Sequence, residues 1–221
     1  MKSGNVDRIS QEFARGIKGF LAEDEGMALF NLALQSAVRG PCLEVGSYCG
    51  KSAYYLGTAC QLKGATLFSI DHHRGSEEQQ PGQPYYDPDL FDEKTGGINS
   101  LPALRQTLKS AGLEHTVVPM VTTSQTASRD WKTPLSLVFI DGGHSYQAVC
   151  TDYECWRGHL MPGGYLVFHD IYPDPAMGGQ APYEVYKSAL SAGDYAELPM
   201  VGSLGILKDR RAVVVKKQVG G

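Results

Sequence analysis

The 221-residue chain has no continuous stretch of about 18 or more apolar residues, the length that a helix needs to cross a membrane. Its first eight residues, MKSGNVDR, contain no apolar core of the kind that a secretory signal requires. Cysteine is scarce: the five cysteines are scattered, and no C-x-x-C pair occurs among them. These absences argue against a membrane-spanning, secreted or disulfide-stabilised protein, and they predict a cytoplasmic one with free thiols.

A strong excess of positive charge is also missing. Lys and Arg number 20 against 24 Asp and Glu, which gives a formal net charge of −4 at pH 7. Domains that bind nucleic acids usually carry a strongly basic face, so we predict neither a nucleic-acid partner nor a membrane partner. The length suits one α/β domain over residues 1–221, with enough chain to bury a full core.

Hydrophobic periodicity divides the chain into two parts. An N-terminal segment, residues 1–38, is helical in pattern, and from residue 41 short apolar stretches alternate with amphipathic ones. The predicted strands cover residues 41–45, 65–71, 116–121, 135–140 and 165–168, and the predicted helices cover residues 6–20, 23–38, 50–62, 98–111, 146–160 and 182–192. This alternation predicts an α/β fold with a doubly wound, mostly parallel seven-stranded sheet. Because the tail, residues 195–217, lacks helical crossovers, we expect an antiparallel β-hairpin there.

Residues 72–97 interrupt the alternation. This stretch is long, polar and rich in Gly, Pro and Asp, and it shows neither a helix period nor a strand period. Loops of this length are uncommon in compact domains and often serve as lids or binding loops. We therefore interpret it as a lid, with Tyr85 and Tyr86 over an apolar or aromatic ligand; a solvated insertion without function is the alternative.

The segment EVGSYCGKS, residues 44–52, follows the first predicted strand and opens a helix. Gly46 can form a tight turn that lets a ligand approach the backbone, and Gly50 would let the helix pack close to the strand. Free N–H groups at the helix start suit an anionic part of a ligand, and Glu44 suits a cationic part. The spacing Glu-x-Gly-x-x-x-Gly differs from the Gly-x-Gly-x-x-Gly of NAD(P)-binding oxidoreductases, which makes that class a remote alternative.

Residues 44–52 resemble the first motif of class I S-adenosylmethionine-dependent methyltransferases. Three further blocks in matching order extend the resemblance over about residues 25–208: SID at 69–71, VFIDGGHSY at 138–146 and PGGYLVFHD at 162–170. Together they most resemble the small-molecule O-methyltransferases, which include catechol-type, macrolide-sugar and cephalosporin-pathway members. The resemblance implies a Rossmann-like fold, S-adenosylmethionine as cofactor and a small molecule as methyl acceptor.

The same resemblance implies a cofactor site at the carboxyl ends of the strands. Asp71 would hold the ribose hydroxyls, Ser124 would line the adenine pocket, and His72 would lie beside the adenosine. The full set of residues expected to contact the cofactor is Glu44, Gly46, Ser47, Gly50, Ser52, Asp71, His72, Ser124 and Asp141.

Acidic and imidazole side chains follow the fourth and fifth predicted parallel strands, which would be neighbours in a methyltransferase sheet. A hydroxyl acceptor must lose its proton, and a bound divalent metal can lower its pKa. Carboxylate with imidazole suits Mn or Zn, and carboxylates with water suit Mg. Asp141 and Asp170 can converge with either His169 or His144, and we predict a divalent metal at Asp141, His169 and Asp170. The resembling metal-dependent enzymes have an acid or amide where His169 stands.

Other interpretations stay open. His144, with Asp141, is a natural general base for a metal-independent N- or O-methyltransferase. Asp141 could instead cap the next helix, and His169 could be a hydrogen-bonded core histidine. A non-catalytic cofactor-binding module could keep the same groups. The oligomeric state is open too, because residues 1–38 and the long loop could cover either the cleft or a second subunit of a homo-oligomer.

Overall fold

The computed structural model describes residues 9–211. Its helices are α1 (Gln11–Gly16), α2 (Glu23–Ser36), α3 (Lys51–Lys63), α4 (Leu101–Ser110), α5 (Ser124–Ser128), α6 (Tyr146–Trp156) and α7 (Ala181–Ser191). Its strands are β1 (Cys42–Val45), β2 (Leu67–Asp71), β3 (Phe91–Asp92), β4 (Gly97–Ile98), β5 (Val117–Val121), β6 (Leu135–Ile140), β7 (Leu160–Phe168), β8 (Tyr195–Val201) and β9 (Leu204–Asp209).

Seven of these strands form one sheet in the order β5-β2-β1-β6-β7-β9-β8, while β3 and β4 form a separate small hairpin. Strands β5, β2, β1, β6 and β7 run parallel, and β9 pairs antiparallel with both β7 and β8. Helices cover both faces, so β1 and β6 are buried along their whole length, which explains their continuous apolar sequences. The predicted doubly wound sheet and the C-terminal antiparallel hairpin are confirmed.

Two hydrophobic cores lie on opposite faces of the sheet. One packs α2, α3 and α4 against it and includes Phe30, Tyr55 and Leu104. The other packs α6 and α7 and includes Trp156 and Tyr186. Within residues 9–211, no helix combines the length and the apolar character needed to span a bilayer.

Some predicted boundaries were wrong. Helix α1 ends at Gly16 instead of continuing to residue 20, because the backbone becomes extended at Ile17 and leaves Phe20 64% exposed. Strand β7 begins at Leu160, which pairs with Leu135 ahead of a shift in register, so α6 stops before it. The short helix α5 was not predicted. Residues 6–8 of the first predicted helix and residues 212–217 of the predicted tail lie outside the described residues.

The long loop is held at its ends and along one side. The backbone N–H of Ser100 donates to the carbonyl of His73 over 3.2 Å, and the Ser100 hydroxyl lies 2.8 Å from His73 Nδ1. The ammonium group of Lys18 lies 2.6 Å from an Asp87 oxygen and 2.7 Å from an Asp89 oxygen. The His73–Ser100 contacts join the two ends of the loop, and the Lys18 contacts hold its side against the link between α1 and α2.

Gly26 provides a test of how α2 is seated on α3. A Cβ atom at this position would lie 2.3 Å from a ring carbon of Tyr55, which is fully buried. We expect Gly26→Ala to lower the free energy of unfolding by about 1–3 kcal/mol, because overpacking outweighs the roughly 1 kcal/mol gain in helix propensity. Urea unfolding measures it. The control is Gly158→Ala, whose added Cβ meets no described atom within 4 Å; a Gly26→Ala protein as stable as this control would contradict the packing.

Candidate active site

A cavity of about 1060 Å³ opens at the carboxyl ends of β1, β2, β6 and β7. Parallel sheets bind ligands where the strand order reverses, and here that reversal lies between β1 and β6. At this point Gly46 lies against the backbone of Asp141: a Cβ atom on Gly46 would come within 1.8 Å of the Asp141 carbonyl oxygen. Gly46 also has a φ of +89°, so both space and backbone conformation require glycine in this turn.

Most of the predicted cofactor residues surround this cavity. It is lined by Gly46, Ser47, Ser52, Asp71, His72, Ser124 and Asp141. Gly50 is not part of the lining: its added Cβ would lie 2.8 Å from Leu104, so this glycine makes room for α4 and not, as predicted, for the strand.

Glu44 also lies behind the cavity wall. Its carboxylate is fully buried and accepts hydrogen bonds from the hydroxyls of Ser52 and Ser69, each over 2.7 Å. Burial raises the pKa of Glu44 to about 7, against the lowering effect of the two serine hydroxyls and with a further contribution from the charge of Asp141. The acid therefore holds β1, β2 and α3 together beneath the glycine turn.

Asp71 is fixed at the end of β2 by two backbone donors. Its Oδ2 accepts from the N–H of Tyr48 over 2.8 Å, and its Oδ1 accepts from the N–H of His73 over 2.7 Å. Both donor residues have positive φ, 45° and 58°, which is uncommon outside glycine. A carboxylate has about four acceptor sites, so capacity remains for hydroxyl donors in the cavity.

Other polar groups on the cofactor side differ in how they are satisfied. The Ser47 hydroxyl is buried and has no hydrogen-bond partner within residues 9–211, which is costly unless a ligand supplies one. The Ser124 hydroxyl accepts from the indole N–H of Trp156 over 3.0 Å. His72 is exposed, and its Nδ1 accepts from the N–H of Arg74 over 3.1 Å.

His169 is enclosed by acids. Its Nδ1 lies 3.0 Å from an Asp141 oxygen and 3.5 Å from an Asp170 oxygen, and its Nε2 lies 3.2 Å from Glu25. Because carboxylates only accept, both ring nitrogens donate and the ring is a cation. Burial alone would lower the pKa of His169, but Asp141, Asp170 and Glu25 raise it far above its ordinary value.

Glu25 is the partner that joins the N-terminal segment to this site. Only 4% exposed, its carboxylate accepts from the N–H of Ala22 over 2.9 Å and from the N–H and hydroxyl of Ser203 over 2.7 and 2.9 Å. Burial opposes its ionisation, yet these bonds and the His169 ring lower the pKa of Glu25 to about 2. Glu25 therefore ties α2, the β8–β9 turn and the end of β7 together.

His144 is the second ring between two carboxylates. Its Nε2 lies 3.0 Å from an Asp170 oxygen, and its Nδ1 lies 2.9 Å from a Glu78 oxygen of the long loop. The Asp170 contact, followed by Glu78, raises the pKa of His144 to about 9 against the effect of burial. Burial would raise the pKa of Asp170, but the hydrogen bonds from His144 and His169 lower it well below its ordinary value.

Three of these side chains converge as metal ligands would. Asp141, His144 and Asp170 each offer one ligand atom, and the three atoms lie within 4.8 Å of one another. Two carboxylates with an imidazole are a donor set that Mn, Fe or Zn accepts. The prediction named His169 with Asp141 and Asp170, whereas the converging set contains His144. Both rings lie between carboxylates, so the His144 nitrogen that faces an ion would have to lose its proton first.

Glu25 and Glu78 are site residues that the sequence did not indicate. At the start of α2, an acid in the first turn reads as a helix-capping residue, and Glu25 does fill that role for Ala22. Glu78 stands in a loop with no periodic pattern from which its direction could be read. Each contact joins positions far apart in the chain, 144 and 66 residues respectively.

Comparison with known proteins adds a family and a fold. Residues 43–171, more than half of the chain, match the family model described as "Methyltransferase domain". Three O-methyltransferase structures share the fold. NovP is 13% identical with a TM-score of 0.65, over 85% of this chain and 80% of its own. Streptomyces achromogenes TomG, in complex with SAM, is 15% identical with a TM-score of 0.61, over 87% of this chain and 82% of its own. A Bacillus cereus enzyme in complex with SAH is 16% identical with a TM-score of 0.62, over 96% of this chain and 92% of its own.

The buried acid beneath the turn makes stability depend on pH. Because folding raises the pKa of Glu44 from 4.5 to about 7, the native state holds the proton more tightly, and stability falls as pH rises between these values. We expect Glu44→Gln to remove this loss. The free energy of unfolding of the variant minus that of the wild type should therefore increase by up to about 3 kcal/mol from pH 5 to pH 8. Urea unfolding at both values measures this. Glu114→Gln, at an exposed position, is the control; a Glu44→Gln difference that does not change with pH would contradict the buried neutral acid.

Proposed function

The chain belongs to the methyltransferase family whose domain it matches, and from that premise we propose that it moves a methyl group from S-adenosylmethionine to a hydroxyl group of a small molecule, with a divalent metal assisting. One observation carries the proposal. The glycine turn with Asp71 and the group formed by Asp141, His144 and Asp170 line a single cavity. A methyl donor and an activated acceptor can therefore meet there in one geometry.

The cofactor side fits a nucleoside with a polar amino-acid tail. Gly46 leaves the backbone open to a close ligand, and the unpartnered Ser47 hydroxyl is a buried group that such a ligand would satisfy. Asp71 keeps acceptor capacity for two neighbouring hydroxyls, as a ribose presents. These residues bind and orient the donor, whose sulfonium supplies the methyl group.

The acceptor side fits a metal-assisted hydroxyl. Asp141, His144 and Asp170 would hold the ion, which would act as a Lewis acid that lowers the pKa of the acceptor hydroxyl. With the ion bound, the proton released by the hydroxyl would pass to water in the cavity. Without an ion, Asp141 is the carboxylate best placed to take it up, because burial raises its pKa against the lowering effect of His169. It also touches the glycine turn, where the donor would lie.

One observation favours a metal-independent variant of the same reaction. The rings of His144 and His169 already offset the charge of the carboxylates around them. In that variant His144 is the base, and it must first pass a proton to Asp170 or Glu78. An acceptor with nitrogen in place of oxygen suits this variant equally.

The walls of the cavity favour a small acceptor with apolar or aromatic surface. Tyr85 from the long loop lines the cavity and packs edge-on against Phe20, with ring centroids 5.3 Å apart, and Phe20 stacks on Tyr48 at 6.0 Å. Tyr86, predicted to act with Tyr85, packs on Phe91 instead. Residues 72–97 thus act as a lid over the acceptor, on this proposal.

Cofactor binding is tested by calorimetry with S-adenosylhomocysteine and with NADH. We expect S-adenosylhomocysteine to bind and NADH not to bind. Asp71→Asn should lower the affinity for S-adenosylhomocysteine about 10–100-fold, because the charged acceptor of the hydroxyl hydrogen bonds is lost. The matched control is Asp130→Asn at an exposed position away from the cavity. Binding of NADH in place of S-adenosylhomocysteine would defeat the proposed cofactor.

Metal assistance is tested by measuring S-adenosylhomocysteine release with a panel of hydroxylated small molecules before and after metal removal by EDTA. We expect turnover to fall at least about tenfold and to return with Mn²⁺. His144→Ala should lower turnover similarly while cofactor affinity survives, and His115→Ala, at an exposed position, should change neither. Full activity after rigorous metal removal, with His144→Ala still inactive, would favour the metal-independent variant.

A further inference from the structure

The Glu78 side chain connects the long loop to the acid–histidine group, which consists of Asp141, His144, His169 and Asp170. Its carboxylate Oε2 lies 2.9 Å from His144 Nδ1, on the side of the ring opposite Asp170. Both side chains are partly exposed, 44% for Glu78 and 37% for His144, so neither is trapped by packing. The pairing of these two residues is therefore set by the hydrogen bond and by the path of the loop.

The loop builds the position of Glu78 with its own hydrogen bonds. Glu78 lies in a short 3-10 turn, residues 77–79, whose start is capped where the Ser76 N–H donates to the Gln79 side chain over 3.0 Å. The Gln80 amide donates to the Ser76 carbonyl over 2.9 Å, and the Tyr85 N–H donates to the Glu78 carbonyl over 3.0 Å. The backbone of Glu78 is thus held independently of its contact with His144.

We propose that Glu78 is a positioning residue, carried by the loop, that fixes the ring of His144 so that Nε2 is the atom offered to the reaction. An imidazole has two nitrogens, and a carboxylate at one of them keeps a proton there and sets the plane of the ring. With Nδ1 held by Glu78, Nε2 faces Asp170 and the cavity, and it becomes available once its proton passes to Asp170. The inference rests on the proposed function, because it assigns His144 a role in that reaction.

Ion pairs join the long loop to the rest of the molecule. Asp87 and Asp89 bind Lys18 of the α1–α2 link, and Glu78 binds His144 beside the strand ends. His144 Nδ1 therefore keeps its carboxylate partner only while residues 72–97 lie in this position, whereas the Asp170 contact at Nε2 does not depend on the loop.

The experiment compares Glu78→Ala with Glu78→Gln, and uses Glu93→Ala, at an exposed position in the same loop, as the matched control. Nitrogen-15 spectra of labelled histidine report the protonation of each ring nitrogen. The His144 signals are identified as those that disappear in His144→Ala. Calorimetry measures the affinity for Mn²⁺ and for S-adenosylhomocysteine separately.

We expect Glu78→Ala to shift the His144 Nδ1 resonance away from its protonated position and to weaken Mn²⁺ binding about tenfold or more, with S-adenosylhomocysteine affinity unchanged within about twofold. Glu78→Gln keeps a carbonyl acceptor and should restore part of both effects. A His144 spectrum that is the same in Glu78→Ala as in the wild type, or changed equally by Glu93→Ala, would overturn the inference. Failure of the wild type to bind S-adenosylhomocysteine would instead contradict the proposed function, and the His144 spectrum would still decide the role of Glu78.

Discussion

Two imidazole rings hold four carboxylates together at the ends of β6 and β7. Like charges repel, and each ring offsets this repulsion because it bridges a pair of the acids. The bridged carboxylates belong to α2, the long loop and the two strand ends: Glu25 and Asp141 at His169, Glu78 and Asp170 at His144. In addition to the hydrophobic packing of α2, the same charges that would perform the chemistry therefore join the N-terminal segment, the loop and the sheet.

The second constraint is the contact between the glycine turn and the end of β6. Because no side chain fits between Gly46 and the Asp141 carbonyl, the turn that would hold the methyl donor is seated directly on the residue that would serve the acceptor. A fixed approach of this kind lowers the entropic cost of aligning two reactants. A displacement of β6 would therefore disturb the donor side and the acceptor side of the cavity together.

The sequence predicted the sheet and one edge of the site because both follow from local pattern. Strand β6 was predicted with its observed ends, since a continuous apolar stretch between turns has few alternatives. Asp71, Asp141 and Asp170 could be placed together, since parallel strands end at one edge of the sheet. Their neighbourhood was predictable; the orientation of the side chains was not.

What could not be predicted depends on packing between distant parts of the chain. Glu25 reaches His169 because α2 packs against α3 and against β6, β7 and β8, and its bond to Ser203 spans 178 residues. This contact encloses His169 between Glu25 and Asp141, and the three ligand atoms that converge belong to Asp141, His144 and Asp170. Gly50 likewise faces α4, a helix that no local pattern places beside it.

The central claim is that one cavity holds the methyl donor at the glycine turn and activates the acceptor at Asp141, His144 and Asp170. A crystal structure with S-adenosylhomocysteine and Mn²⁺ tests it most directly. We expect the ribose at Asp71, the sulfur directed toward the acid–histidine group, and the ion bound by Asp141, His144 and Asp170. A nucleoside bound elsewhere, or one whose sulfur points away from these three residues, would contradict the claim.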